Sequence, residues 1–185
     1  MSYATIPEPG LLNVDEYLER EAASKVKHEY VAGQMYAFTG ATRSHNRIVG
    51  CLLLWLANAA EGDPCGVCGS DKPLRAAADV FYYPDITVVC DPADIHSRYV
   101  EQPGLLIEVL SPTTMETDLR EKLVVYRNIE SMQGYLIVAP DEGWIELHER
   151  GEDGAWRLSR GTESEPLALP CLDAAVSAGD LFRDL

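Results

Sequence analysis

Two acidic residues stand inside segments that are otherwise apolar. Asp85 lies in YPDITVV (83–89) and Glu108 in LLIEVL (105–110), and both segments are predicted strands. A lone buried carboxylate is costly, so it is normally paired or bound to a metal ion. One such residue could be a structural hydrogen-bond hub, but two on neighbouring predicted strands indicate a site. Because carboxylate oxygens are the hard ligands that Mg²⁺ and Mn²⁺ prefer, that site is predicted to bind a divalent cation.

A lysine follows these strands on a predicted helix. Residues 115–129 are expected to be helical, with Thr114 as the cap. Asp118, Lys122 and Tyr126 recur at i, i+4 and i+8, which places them on one face. A lysine beside a bound cation could orient a water and offset developing negative charge. The alternative is a solvated surface lysine, with Asp118 as its helix-face partner and Tyr126 as a packing residue.

Three other helices are expected. Residues 14–23 form a short helix capped by Asn13, and a short helix lies near residues 178–183. Residues 44–60 form a longer helix, because their apolar side chains fall at helical spacing. His45, near its start, is expected to cap the helix or face solvent, with phosphate contact as the alternative.

Predicted strands fill most of the remaining chain. Residues 27–39 predict a hairpin that turns at Ala32-Gly33, and Glu29 is, by pattern alone, a polar residue at its start. Residues 105–110 are nearly all apolar, which suits a strand covered on both faces. No linker or repeat divides the chain, so a single α/β domain over residues 1–185 is expected. The other predicted strands are residues 66–74, 83–90, 135–139, 144–149 and 156–159.

Composition limits the partners of the chain. Thirty acidic residues against fifteen basic ones give a net charge of −15. Because duplex binding depends on Lys and Arg, DNA binding would need a local basic patch or bound cations. No apolar run reaches the ~18–20 residues of a membrane span, and residues 1–10 do not resemble a signal peptide. We therefore expect no membrane contact and a cytoplasmic location.

Five cysteines make an odd set with irregular spacing. Free thiols in a reducing compartment are the simplest interpretation. Cys65 and Cys68 form a C-x-x-C pair, but no second pair of ligands follows at a zinc-site spacing. We therefore expect no zinc there, and burial in a strand instead.

The ordered segments resemble a known family. Pro84-Asp85 followed by Glu108 is similar to the PD-(D/E)XK nuclease motif, whose superfamily has a restriction-endonuclease-like core. More narrowly, the sequence resembles the Uma two family of proposed endonucleases. Each matching stretch is weak alone and specific only in order: HEYVAGQMY (28–36), SHNRIV (44–49), YPDITVV (83–89), LLIEVLSPTT (105–114), DLREKLVVY (118–126) and YLIVAP (135–140).

This resemblance implies a fold and a site. The implied fold is α/β, with a mixed central β-sheet flanked by helices. The superfamily's lysine normally lies two residues after the strand acid, where this chain has Leu110, and Lys122 matches the helix lysine of the Uma two pattern. The implied catalytic residues are Glu29, Asp85, Glu108 and Lys122. The implied ligands of Mg²⁺ or Mn²⁺ are Asp85, Glu108, the Val109 carbonyl and Glu29. The implied supporting residues are Asp118, Tyr126 and His45.

Two functions compete for this chain. The resemblance implies a metal-dependent endonuclease that hydrolyses phosphodiester bonds in DNA. It also implies a homodimer, because such nucleases often cut two strands as pairs. The alternative is a catalytically inactive binding or scaffold module, which Leu110 and the acidic net charge favour. A third candidate is a metal-dependent phosphodiesterase that acts on a small substrate.

Overall fold

The computed structural model describes residues 4–5, 10–37, 42–91, 94, 98–111 and 118–183, and for residues 4, 5 and 118 the backbone alone. Within these ranges the chain forms a five-stranded sheet, a six-stranded sheet and a two-stranded ribbon, together with several helices. The predicted α/β class, with a mixed sheet flanked by helices, is confirmed.

The first helix, α1 (Val14–Ala23), begins at its predicted cap. The Asn13 side chain accepts a hydrogen bond from the Glu16 N–H at 3.0 Å, and the Glu16 carboxylate accepts one from the Asn13 N–H at 2.8 Å. This exchange satisfies two N–H groups that a helix start leaves without partners. Tyr17 of α1 stacks on Tyr30 with ring centroids 4.8 Å apart, so the helix packs against the following hairpin.

The five-stranded sheet is built around that hairpin. Ala32 and Gly33 both have positive φ values, 48° and 91°, as a tight two-residue hairpin turn requires. All pairings in this sheet are antiparallel. Its strands are β1 (Ala4–Thr5), β2 (His28–Val31), β3 (Gln34–Ala37), β5 (Leu74–Ala77) and β6 (Val80–Tyr82), in the order β1-β3-β2-β6-β5.

The six-stranded sheet is mixed. Its order is β11-β10-β9-β8-β7-β4, and β8 and β9 run parallel while the other neighbours run antiparallel. Strand β8 lies in the interior of the sheet and every one of its residues is buried, as its apolar sequence predicts. The strands are β4 (Gly66–Gly69), β7 (Ile86–Val89), β8 (Leu105–Val109), β9 (Gly134–Ala139), β10 (Trp144–Arg150) and β11 (Trp156–Gly161).

The two faces of this sheet carry different layers. One face packs against α2 (Arg43–Ala59), which is capped by Thr42 and contributes Ile48, Leu52 and Leu56 to the core. The other face packs against Tyr126 and against residues of the five-stranded sheet such as Tyr82. Because side chains alternate along a strand, Leu106, Glu108 and Leu110 belong to this second face.

The predicted helix at residues 115–129 has an irregular beginning. Asp118–Lys122 forms a π-helical turn, and α3 (Leu123–Arg127) continues it. The predicted cap Thr114 and residues 115–117 lie outside the described residues. Single π-helical turns are rare and are frequent at functional sites, and this one ends on the lysine of interest.

The prediction of one strand at residues 66–74 is wrong. Strand β4 ends at Gly69, and a turn closed by the Lys72 N–H on the Gly69 carbonyl at 3.3 Å separates it from β5. Pro73 lacks a backbone N–H, which disfavours a continuous strand there. The two halves of the predicted strand therefore join different sheets.

The expectation that all five cysteines are free thiols is also wrong. Cys65 and Cys90 form a disulfide. They flank Gly66 and Val89, which pair across the antiparallel strands β4 and β7, so the ladder itself brings the two residues together. Cys65 is therefore engaged with Cys90, while Cys68 is a free cysteine in β4. The absence of zinc at these residues stays a prediction.

The C-terminal part of the described chain contains a ribbon and a short helix. Strands β12 (Leu167–Ala168) and β13 (Ala175–Val176) pair antiparallel. Helix α4 (Ala178–Phe182) follows and is capped by Ser177, in agreement with the helix expected near residues 178–183. None of the helices in the described ranges is both long enough and apolar enough to span a membrane.

Candidate active site

Asp85 and Glu108 meet at the start of β7. Ile86 pairs with Ile107, so the preceding Asp85 and the following Glu108 face each other across β7 and β8. The Asp85 N–H points to Glu108 Oε2 at 3.4 Å, and the Val109 N–H donates to Asp85 Oδ2 at 2.9 Å. Both acidic side chains are buried. The predicted juxtaposition is therefore found, with Asp85 standing one residue before the strand rather than inside it.

Lys122 reaches the same carboxylate from the helical layer. Its side chain is only 2% exposed, and Nζ lies 2.9 Å from Glu108 Oε1 and 3.4 Å from Glu29 Oε1. Nζ also lies 5.5 Å from the centre of the Tyr82 ring, within cation–π range. The interpretation of Lys122 as a solvated surface lysine is therefore wrong, because its side chain is buried. The two carboxylates are the negative partners that a buried ammonium group requires.

Glu29 enters the site from the other sheet. It lies on β2 and is buried, and its Oε1 accepts a hydrogen bond from the Tyr83 N–H at 3.3 Å as well as the contact from Lys122. The pattern around Glu29 contains no sign of this burial. The site therefore spans the interface of two sheets, with Lys122 between a carboxylate of each.

Tyr126 supplies a neutral hydrogen-bond donor. Its hydroxyl donates to Glu108 Oε1 at 3.2 Å. Burial raises the pKa of Tyr126 well above its ordinary value, so the phenol stays protonated at neutral pH. Burial likewise raises the pKa of the neighbouring Tyr82 to about 12. Lys122 and Tyr126, which were predicted to share a helical face, both contact Glu108, whereas the side chain of Asp118 lies outside the described residues.

His45 supports Asp85 from α2. The residue is buried, and its Nε2 lies 3.0 Å from Asp85 Oδ2. A carboxylate can only accept hydrogen bonds, so Nε2 carries the hydrogen in this pair. The other ring nitrogen, Nδ1, is buried without a hydrogen-bond partner among the described residues. The expectation that His45 caps α2 or faces solvent is wrong, because Thr42 is the cap and the ring turns inward.

Leu110, at the superfamily's usual lysine position, belongs to the core. It is buried in the same cluster as Tyr126, and its N–H bonds to the Val138 carbonyl at 2.7 Å. Val109, whose carbonyl was implied as a metal ligand, uses its N–H to hold Asp85. That backbone donor was not predicted, and neither was the contribution of Tyr82 and Tyr83, although both stand directly before Pro84-Asp85.

The charges of the site suit a divalent cation. Among the named side chains, the carboxylates of Glu29, Asp85 and Glu108 outnumber the single ammonium of Lys122, and buried excess negative charge favours a bound cation. All three offer hard oxygen ligands, which fit Mg²⁺ or Mn²⁺. Within the described ranges, no three His, Cys, Asp or Glu side chains are grouped as a ready-made metal cluster. The roles of the individual residues stay predictions.

The chain is similar to several known proteins. A family model named Uma2, with the description "Putative restriction endonuclease", matches residues 14–178. "Uncharacterized protein slr1290" of Synechocystis sp. (strain ATCC 27184 / PCC 6803 / Kazusa) is 32% identical over 176 residues, 94% of this chain and 93% of the relative. "Uncharacterized protein sll1609" of the same organism is 29% identical over 153 residues, 80% of this chain and 86% of that relative.

One similar solved structure shows the fold. A crystal structure from Anabaena variabilis ATCC 29413, of a protein described as a "putative nuclease belonging to DUF820", superposes with a TM-score of 0.77. The match covers 95% of this chain and 98% of the other chain, at 18% sequence identity. At that identity the likeness establishes a shared fold, which is the fold of a protein described as a nuclease.

Proposed function

This chain belongs to the Uma two family, and we propose that it is a metal-dependent endonuclease that hydrolyses phosphodiester bonds in DNA. The observation that carries the proposal is the meeting of Asp85 and Glu108 across β7 and β8 with the buried ammonium of Lys122 on Glu108. A single structural ion pair would need one carboxylate, whereas the Lys122 ammonium group contacts both Glu108 and Glu29, and Asp85 adjoins Glu108.

The proposed cofactor is Mg²⁺ or Mn²⁺. Asp85, Glu108 and the Val109 carbonyl would hold it, and Glu29 would hold a second ion or a bound water. When bound, the ion would polarise the phosphate and lower the pKa of a water molecule. The donor set is made of oxygen atoms alone, which favours these ions over zinc.

The protein's own residues would orient the ligands and balance charge. The Val109 N–H and His45 Nε2 both bond to Asp85 Oδ2, so they fix the rotation of that carboxylate. Tyr126 and Lys122 do the same for Glu108 at Oε1. Lys122 would also offset negative charge that develops on the phosphate, as a preorganised donor does.

A homodimer would let two such sites cut the two strands of a duplex. The alternative function, a binding module without catalysis, is favoured by the buried Leu110 at the position where the superfamily usually has its lysine. Lys122 provides an ammonium group at the site from another element, which is why we favour the enzyme.

The experiment is a nuclease assay on supercoiled plasmid with Mg²⁺ or Mn²⁺. Wild type is expected to nick and linearise the plasmid, and Asp85→Asn is expected to lose this activity because an amide is a weaker cation ligand. Asp153→Asn is the matched control, since this aspartate is exposed in the turn between β10 and β11. A folded wild-type protein that cleaves with neither ion would favour the binding module instead.

A further inference from the structure

A row of paired residues leads from the candidate site across the six-stranded sheet to its edge. Glu108 pairs with Ile137, Ile137 pairs with Glu146, and Glu146 pairs with Arg160. Directly paired residues point to the same face of a sheet, so Arg160 and Glu108 share the face that carries the site. Three strand spacings of about 4.8 Å separate them, which is about 14 Å. The row ends on β11, the edge strand.

Arg160 is the exposed cation of that row. Its side chain is 67% exposed, and its Nε donates to Glu146 Oε2 at 2.9 Å. Its guanidinium lies 5.2 Å from the centre of the Trp144 ring, in a cation–π contact. The Nη1 and Nη2 groups make no hydrogen bond to the residues that the structure describes. Arg160 is therefore held by its Nε and by its flat face, with its terminal donors available.

Hydrogen bonds hold the residues beneath Arg160. Glu146 is buried, and its other oxygen, Oε1, accepts from His148 Nε2 at 3.1 Å. His148 Nδ1 in turn accepts from Arg127 Nη2 at 2.8 Å. This chain of contacts fixes the carboxylate that orients Arg160, so less side-chain entropy would be lost when Arg160 binds an anion.

Two further arginines add positive charge on the same face. Arg127 and Arg150 lie over the Trp156 ring, with guanidinium-to-centroid distances of 5.5 and 5.0 Å. Arg150 is committed to structure, because it donates to the carbonyls of Arg127, Ile129 and Glu130. These two arginines raise the local potential, and Arg160 remains the group placed to touch a ligand.

We propose that Arg160, seated on Trp144 and Glu146, binds a backbone phosphate of the DNA whose phosphodiester lies at Asp85 and Glu108. The proposal rests on the proposed nuclease function, and it names the surface that binds the DNA to one side of the phosphodiester that is cut. A planar guanidinium matches the oxygens of a phosphate better than a point charge does. The separation of about 14 Å corresponds to about four base-pair rises of 3.4 Å along the axis of a duplex.

This surface would also explain how a chain with a net charge of −15 binds DNA. The bulk charge repels phosphate, so binding has to rely on a local cationic strip in line with the site. Arg160, with Arg127 and Arg150 near it on the same face, provides that positive charge. An acidic protein partner is the competing occupant, and the test below separates the two.

The same strand offers a matched control. Arg157 also lies on β11 and its side chain is 58% exposed, but it is three positions from Arg160 and therefore points to the opposite face of the sheet. It pairs with Asp153 at 2.7 Å. Arg157→Gln removes the same charge from the same strand. Any difference in DNA affinity between the two variants is therefore due to the face on which the arginine lies, and not to the net charge.

The test measures binding separately from cleavage. A short fluorescein-labelled DNA duplex is titrated with wild type, Arg160→Gln and Arg157→Gln in Ca²⁺ and again in EDTA, and anisotropy is followed from about 0.05 to 0.2 M salt. One lost phosphate contact should lower the slope of log affinity against log salt concentration by about 0.9. If the affinities of wild type and variant converge at about 1 M salt, the variant should bind about eightfold more weakly at about 0.1 M. We expect that change for Arg160→Gln and none for Arg157→Gln.

Three results would overturn the proposal: wild type that binds no DNA, equal losses in both variants, or competition by poly-glutamate that matches unlabelled DNA charge for charge. Circular dichroism and urea unfolding check that each variant is folded. Plasmid cleavage measured in parallel keeps the two proposals apart. Binding that depends on Arg160 without cleavage by wild type would refute the nuclease function alone, and cleavage that is indifferent to Arg160 would refute the surface alone.

Discussion

Replacing Lys122 by methionine should reveal how strongly the site depends on its ammonium group. Methionine keeps an unbranched side chain of similar length, so the change removes the charge while most of the packing remains. It leaves Glu108 and Glu29 buried without the group that lies 2.9 and 3.4 Å from their oxygens. The perturbation therefore tests electrostatics more than volume.

The magnitude follows from these distances. At an effective dielectric constant of about 20, Coulomb's law gives about 6 kcal/mol for the Glu108 contact and about 5 kcal/mol for the Glu29 contact. The desolvation of the lysine, several kcal/mol, offsets part of this gain. Removing one partner of a buried pair costs about 3–5 kcal/mol, and we expect Lys122→Met to fall in that range. For a chain of this size the melting temperature should drop by about 6–20 °C.

The assay is urea unfolding in the presence of EDTA. EDTA removes divalent cations, which could otherwise bind at the site and replace the missing positive charge. Lys25→Met is the control, since Lys25 is exposed on the chain that follows α1. Adding Glu108→Gln to Lys122→Met should recover part of the loss, because it removes the buried negative charge that Lys122 faced. If Lys122→Met unfolds within about 0.5 kcal/mol of wild type, as ordinary surface changes do, the electrostatic argument is refuted.

The same residue should matter for the reaction. Loss of one preorganised donor costs about 100–1000-fold in rate, so Lys122→Ala should slow cleavage by that factor at a temperature where the variant is folded. Lys122→Arg should rescue poorly, because a planar guanidinium does not replace a compact ammonium. Unchanged Mg²⁺-dependent cleavage by folded Lys122→Ala would show that the lysine is a bystander.

Three smaller predictions concern the residues around Lys122 and His148 on β10. Tyr126→Phe should lower the unfolding free energy by about 1–2 kcal/mol, because Glu108 loses a donor, and a neutral result in urea unfolding would contradict this. Leu110→Lys in the Lys122→Ala background should restore part of the lost stability, since residue 110 shares the face of Glu108; a double variant weaker than Lys122→Ala would refute it. Burial and Arg127 lower the pKa of His148, so the unfolded state takes up its proton first as the pH falls. Wild type should therefore lose stability as the pH falls through about 6.5, the ordinary pKa of histidine, and His148→Gln should lose less over the same urea titrations.

The core of the site follows from local periodicity. Asp85 and Glu108 were predicted to be neighbours because each interrupts an apolar strand, and a period of two fixes which face each occupies. The register of β7 against β8 then completes the pair. The family resemblance added Glu29 and Lys122, which the strand pattern alone does not select.

The remainder could not be deduced because it depends on contacts between distant elements. Glu29 is buried by the packing of one sheet against the other, and a short segment such as HEYV contains no signal for that. His45 was expected to cap the helix or face solvent because it lies near the helix start, yet Thr42 caps the helix and His45 turns toward Asp85. The π-helical turn before α3 was missed because a helical spacing of i, i+4 assumes a regular α-helix.

Because Lys122 lies on a helical segment and not on β8, assembly of the site depends on both sheets. A lysine on β8 would contact Glu108 within its own sheet, whether or not the five-stranded sheet had docked. Lys122 instead lies between Glu108 of β8 and Glu29 of β2, so its two contacts form only when both sheets and the helix are in place. Three buried carboxylates repel one another in a low dielectric, and the ammonium group offsets this cost at the seam between the sheets. The position of Lys122 therefore couples the stability of the fold to the geometry of the proposed metal site, which is why one substitution there should lower both.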